Sequence, residues 1–228
     1  MTVFDAKGLI GLVAIACAML VAALFFGSPP VAAVAKLVAS SAFVALAIRV
    51  GSLQSTYGRV ILAGLVLSWF GDAFLIGQSQ QLFLLGLGAF LLAHIAYVTA
   101  FFGRGIRVRS VAAGVVPILA IAIAISIWLR PYVPTELELP VRLYVTVISL
   151  MVISAIGTHG HKPSGLILAG AVLFFLSDLS VAALRLVQTD LPTYLLGLPL
   201  YYTAQVCFAV STSQSRSQGG TPEKRSAR

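Results

Sequence analysis

AGLVLSWFGD (residues 63–72) and AGAVLFFLSD (residues 169–178) are apolar runs that each end in an aspartate, and they match at Ala, Gly, Val, Leu and Asp with a constant offset of 106 residues. In lipid the backbone must satisfy its own polar groups, so runs this apolar read as membrane-spanning helix. A carboxylate at that depth costs about 2.5–3.5 kcal/mol on insertion scales. An unbroken apolar helix would be cheaper, and two aspartates at equivalent places therefore mark a polar site within the membrane.

Working outward, the whole chain has the same character. Its 228 residues are 59% hydrophobic and 10% charged, with a mean hydropathy of +1.01, which excludes a soluble domain. The runs are long and uniformly apolar rather than alternating with period two, which excludes a barrel. The expected fold is all-α, a polytopic membrane bundle of about eight transmembrane helices at roughly 8–26, 31–50, 58–77, 81–102, 110–129, 139–157, 164–187 and 193–212. Breakers fall between them at Gly27-Ser28-Pro29-Pro30, Gly103-Arg104-Gly105, Pro131 to Pro134 and Lys162-Pro163. Residues 1–211 form one transmembrane domain, and 212–228, rich in Ser, Gln, Gly and Arg, read as a disordered basic tail. The first helix has no convincing small-residue cleavage site and is expected to be retained.

Lys7, Arg49, Arg59, Arg104, Arg107, Arg109, Lys162 and the tail cations fall on one side of an eight-span chain, whereas Arg130, Glu136, Glu138 and Asp190 fall on the other. Cytoplasmic loops collect Lys and Arg, so both termini are expected in the cytoplasm of a multi-pass protein of the cell membrane. Topology and contact with anionic membrane lipids account for the net charge of +8, and no nucleic-acid partner is implied. Cys17 and Cys207 sit alone in apolar helices, where a thiol behaves as a small hydrophobe.

The repeat extends beyond the aspartates. The offset of 106 also relates Lys36-Leu37 to Arg142-Leu143, and at an offset of 111 FLLGLGAFLLAH (83–94) aligns with YLLGLPLYYTAQ (194–205), which places His94 opposite Gln205. Four spans per unit preserve orientation, so the expectation is a tandem 4+4 parallel repeat. Counted at 1.5 Å per residue, Lys36 and Asp72 lie about 8 Å inside the membrane, Arg142 and Asp178 share that layer by the repeat, and His94 and Gln205 lie about 20 Å in. Ser40, Ser68, Thr146, Ser149 and Tyr97 continue the same faces at helical spacing. Together they predict a polar cavity opening toward the outer half.

Plainer readings exist for each element. The two cation–aspartate pairs can simply fix helix register, and His94 can be a hydrogen-bonded core residue. The tyrosines can be packing or interface anchors. His159 and His161 lie in a loop with no third ligand beside them, so no metal site is expected.

The segments GLVLSWFGDAFLIG, GLGAFLLAHIAYVTAFF, GAVLFFLSDLSVAALRL and YYTAQ resemble the YhhN/TMEM86 family of integral membrane proteins over essentially the whole chain up to the tail. Characterised members are lysoplasmalogenases, which cleave the vinyl ether of lysoplasmalogens to a fatty aldehyde and a glycerophospho-alcohol. The resemblance thus implies a lysophospholipid substrate, with Lys36, Asp72, His94, Tyr97, Tyr144, Ser177, Asp178, Tyr202 and Gln205 at the family's polar positions. Leu37 follows Lys36 where the resemblance leads one to expect proline, which bears on a kink in the second helix.

The chemistry fits two carboxyl groups. Protonation of a vinyl ether at its β-carbon gives an oxocarbenium ion, water captures it, and the hemiacetal collapses to aldehyde. One carboxyl must hold a proton as the acid, and the other must be ionised to stabilise the cation, a division that glycosidases also use. Asp72 and Asp178 are the catalytic candidates, in roles the sequence leaves open. Lys36 and Arg142 are candidates for the lipid phosphate, and Ser68 with the residues above supports the site. No metal or organic cofactor is required on this reading. A small-solute or proton-coupled carrier is the alternative, since parallel repeats and mid-membrane charges also describe transporters.

Overall fold

The computed structural model describes residues 5–160 and 164–213, so His161, Lys162 and the tail from residue 214 lie outside the described residues. Eight long helices follow one another: α1 Ala6–Phe25, α2 Pro29–Arg49, α3 Thr56–Phe74, α4 Gln80–Gly103, α5 Val108–Leu129, α6 Glu138–Gly157, α7 Ser164–Ala182 and α8 Tyr194–Ser211. No strand occurs among the described residues. Seven of the eight are long and apolar enough to cross a bilayer. The exception is α3, which carries Thr56, Tyr57, Arg59, Ser68, Trp69 and Asp72 and packs between α2 and α4.

The helix ends follow local chemistry. Asp5, Ser55 and Ser79 accept hydrogen bonds from the backbone N–H groups of Gly8, Gly58 and Leu82, satisfying donors that the first turns of α1, α3 and α4 leave free. Pro29 and Pro30 begin α2, where a missing N–H matters least. Past Lys36-Leu37, α2 runs on without interruption to Arg49. Gly27 takes a left-handed φ of +68° in the turn between α1 and α2. The end of α7 differs: the chain widens into a π-helical turn over Ala183–Val187 and stops at Gln188, whose φ is +54°.

Lipid tails are as apolar as leucine, so helices in a membrane associate through close packing rather than through the hydrophobic effect. The packing follows the repeat. Contacts of α1 with α2, α2 with α3, α3 with α4 and α4 with α6 have counterparts in α5 with α6, α6 with α7, α7 with α8 and α8 with α2. Glycines make the closest approaches at matching places. Gly64 faces the ring of Tyr97 as Gly170 faces that of Phe208, and a Cβ on either would overlap the ring. Gly86 lies over the carbonyl of Gly71 as Gly197 lies over that of Ser177. Tyr97 and Phe208 meet with ring centroids 4.5 Å apart. The α5 helix packs mainly on α6 and turns Val116, Ile121, Ile123 and Ile127 outward.

Candidate active site

A cavity of about 320 Å³ lies at the end of the bundle where α1 meets α2, α3 meets α4, α5 meets α6 and α7 meets α8. Most of its wall is aliphatic or aromatic, from residues such as Leu20, Leu75, Phe90, Ile125 and Ile148. Both aspartates reach it, together with Lys36, Tyr144, Ser177 and Tyr201.

Asp72 is held tightly. Only 2% of it is exposed, its Oδ2 accepts hydrogen bonds from Ser40 Oγ at 2.6 Å and Tyr201 OH at 2.7 Å, and Lys36 Nζ lies 3.7 Å from Oδ1. These partners come from α2 and α8, so the carboxylate on α3 joins three helices. Ser40 and Lys36 share one face because they are four residues apart on α2. Tyr202, beside Tyr201, donates to the Lys36 carbonyl at 3.4 Å and so braces the same turn.

Asp178 is more open and has fewer partners. Its side chain is 17% exposed, Tyr144 OH donates to Oδ2 at 2.8 Å, and His94 Nε2 lies 3.5 Å from the same oxygen. Its Oδ1 takes part in no hydrogen bond among the described residues. His94 is fully buried among Phe174, Tyr144 and Tyr97, and neither ring nitrogen has a well-aligned hydrogen-bond partner among the described residues. Beneath the cavity Ser68, Tyr97 and Gln205 form a buried chain, with Ser68 Oγ 3.3 Å from Tyr97 OH and Tyr97 donating to Gln205 Oε1 at 2.9 Å.

Several expectations need correction. Arg142 does not meet Asp178: its side chain is 73% exposed and pairs with Glu138 one turn away on α6 at 3.0 Å. A neighbour on the same helix wins because it requires no inward rotation of a long charged side chain. His94 is not a layer below Asp178 either, since α7 continues through the π turn to Val187 and carries Asp178 deeper than a count along the repeat implies. His94, Gln205, Ser68 and Tyr97 form the floor rather than the wall, so a chain occupying the cavity stops above them.

Two contacting residues stand on the polar faces expected from helical spacing but outside the expected catalytic and supporting residues. Ser40 and Tyr201 bond Asp72 directly. Their positions were the available signal, because Ser40 lies one turn from Lys36 and Tyr201 one turn from Gln205. Among the described residues no cluster of His, Cys, Asp and Glu has the arrangement of a metal site.

The chain matches the model of the YhhN family over residues 31–212. It is 30% identical over 165 residues to the lysoplasmalogenase TMEM86A of Bos taurus and 31% identical over 162 residues to that of Homo sapiens, each alignment covering 68% of this chain and 66% of the relative. It is 29% identical over 150 residues to the lysoplasmalogenase of Mycobacterium bovis, covering 64% of this chain and 56% of that one. The chain therefore spans a little under two thirds of the length of the mammalian relatives it matches. No solved structure matches it. The family match takes in every helix from α2 to α8, with both aspartates and all their partners, and this chain belongs to the YhhN family.

Proposed function

We propose that the cavity is the active site of a membrane hydrolase that cleaves the vinyl ether of lysoplasmalogen-type lysophospholipids, releasing a fatty aldehyde and a glycerophospho-alcohol. The observation that carries this reading is that two carboxyl groups of unequal surroundings share one apolar cavity, Asp72 buried among donors and Asp178 open to the interior. The names of the relatives point to the same reaction.

In this scheme Asp178 is the acid. Its proton passes to the β-carbon of the vinyl ether, and the former double-bond electrons form the new C–H bond. The adjacent carbon and oxygen become an oxocarbenium ion. Asp72, ionised and fixed by Ser40, Tyr201 and Lys36, faces this cation with a preorganised negative charge. The Asp178 carboxylate then takes a proton from water as its oxygen attacks the cationic carbon, which restores the acid and forms a hemiacetal. Transfer of the hydroxyl proton to the ether oxygen breaks the C–O bond and gives aldehyde and alcohol. Tyr144, from the cavity wall, and the buried His94 orient Asp178. The aliphatic wall takes the alkenyl chain and limits water around the cation.

The test is aldehyde release by the purified full chain in detergent, given lysoplasmalogen and an ester lysolipid separately. Asp178→Asn is expected to lower the rate by about 10²–10⁴-fold, the usual contribution of a general acid. Asp72→Asn should be similarly impaired. Aldehyde release that survives both substitutions would remove the aspartates from the mechanism, and solute flux in vesicles without aldehyde from any vinyl ether would favour a carrier.

A further inference from the structure

Two cations line the cavity, and the scheme above uses one of them. Lys36 faces Asp72, whereas Arg185 has no ion pair among the described residues. Arg185 sits on the π turn that ends α7, seven residues beyond Asp178, with its guanidinium carbon 5.9 Å from the centroid of the Phe83 ring on α4. Gln78, from the loop between α3 and α4, and Tyr194, from the first turn of α8, line the cavity with it. Such π turns recur at functional sites, where the widened turn redirects a side chain.

We propose that Arg185 is the headgroup-phosphate ligand of this cavity, with Gln78 and Tyr194 beside it, and that it sets the register of the scissile bond against Asp178. The proposal rests on the lysophospholipid reading given above. Distance supports it. Seven residues of helix place Arg185 about 10 Å along α7 from Asp178. In a 1-alkenyl glycerophospholipid five single bonds separate the vinyl ether oxygen from phosphorus, about 6 Å along the zigzag. The side chains of Arg185, exposed where it lines the cavity, and of the half-buried Asp178 therefore bracket the lipid's own spacing. Charge supports it as well, because a guanidinium presents a planar fork of donors that fits phosphate oxygens, and an aromatic face beneath it restricts its motion. Arg142, the cation that the repeat would nominate, is turned away and held by Glu138.

Binding and turnover separate this proposal from the hydrolase reading. Non-cleavable ligands come first: a 1-O-alkyl lysophospholipid and the matching 1-O-alkylglycerol, which lacks the phosphate, titrated against the purified full chain. Arg185→Ala should weaken the phospholipid by about 10–100-fold, the range for a lost hydrogen bond to a charged group, and leave the alkylglycerol unchanged. Arg185→Lys should recover part of the loss, since it keeps the charge without the fork. With cleavable 1-alkenyl substrates, Arg185→Ala should raise KM for the phosphate-bearing one by a similar factor and leave alkenylglycerol turnover unchanged. Equal weakening of both ligands would make Arg185 structural and overturn the proposal, as would no weakening of either. Inorganic phosphate competing as well as the lysophospholipid would overturn it in favour of a general anion site. Arg185-dependent lysophospholipid binding without aldehyde from any vinyl ether would leave the subsite standing and remove the hydrolase.

Discussion

At Asp72 three groups meet, and the geometry ranks them. Ser40 and Tyr201 donate to one oxygen at 2.6 and 2.7 Å, while the Lys36 ammonium stands off at 3.7 Å from the other. The hydroxyls therefore aim the carboxylate, and the ammonium balances its charge. Tyr201→Phe removes one charge-assisted bond and should lower kcat for aldehyde release about tenfold or more with little change in KM, because what is lost is alignment toward a positive charge that is absent from the bound substrate and develops as the vinyl ether is protonated. His94 invites the opposite kind of prediction. Its ring is fully buried with no well-aligned hydrogen bond among the described residues, a state that costs stability, while Nε2 faces Asp178. His94→Phe should thus leave the thermal midpoint in detergent unchanged or higher while slowing aldehyde release, and a midpoint several degrees lower would show that the imidazole is a structural support.

Among the elements, the repeat-matched glycines do the most to set helix spacing. Gly64 and Gly170 let α3 and α7 close onto the rings of Tyr97 and Phe208, and neither site has room for a Cβ unless the ring moves. Gly64→Val and Gly170→Val should each destabilise by about 1–3 kcal/mol, the usual range for overpacking, whereas Gly88→Ala, with open space around it, should be neutral or slightly stabilising. Thermal unfolding in detergent reads all three. This level of the fold was largely legible in the sequence: runs of about twenty apolar residues, the breakers that fall within the described residues, and the 106- and 111-residue offsets correspond to observed helices and contacts. The rotation of each helix was not legible. A helix with apolar residues on every side carries no amphipathic signal to say which face turns inward, so only its few polar residues report orientation. Asp72 and Lys36 reported it correctly because each needs a partner in the interior. Arg142 did not, because Glu138 was available one turn away. The π turn after α7 left no trace either, since Ala-Leu-Arg-Leu-Val is ordinary helical sequence.

For the molecule as a whole, the cavity and the distribution of charge lie at opposite ends. The cavity is walled near the ends where α1 meets α2, α3 meets α4, α5 meets α6 and α7 meets α8, while Arg49, Arg59, Arg104, Arg107 and Arg109 cluster near the connections at the other end. Because cytoplasmic loops collect Lys and Arg, we propose that the cavity mouth lies on the non-cytoplasmic face with both termini inside. A lysolipid in the outer leaflet would then approach with its headgroup level with Arg185 and its chain directed toward Phe90 and Ile148. Single cysteines provide the check, in a chain whose own Cys17 and Cys207 have been replaced by alanine. Gln78→Cys and Leu191→Cys are expected to react with a membrane-impermeant maleimide in intact cells, whereas Arg104→Cys should react only after the cells are opened. Labelling in the reverse order would turn the bundle over, and the cavity would then draw its lipid from the cytoplasmic leaflet.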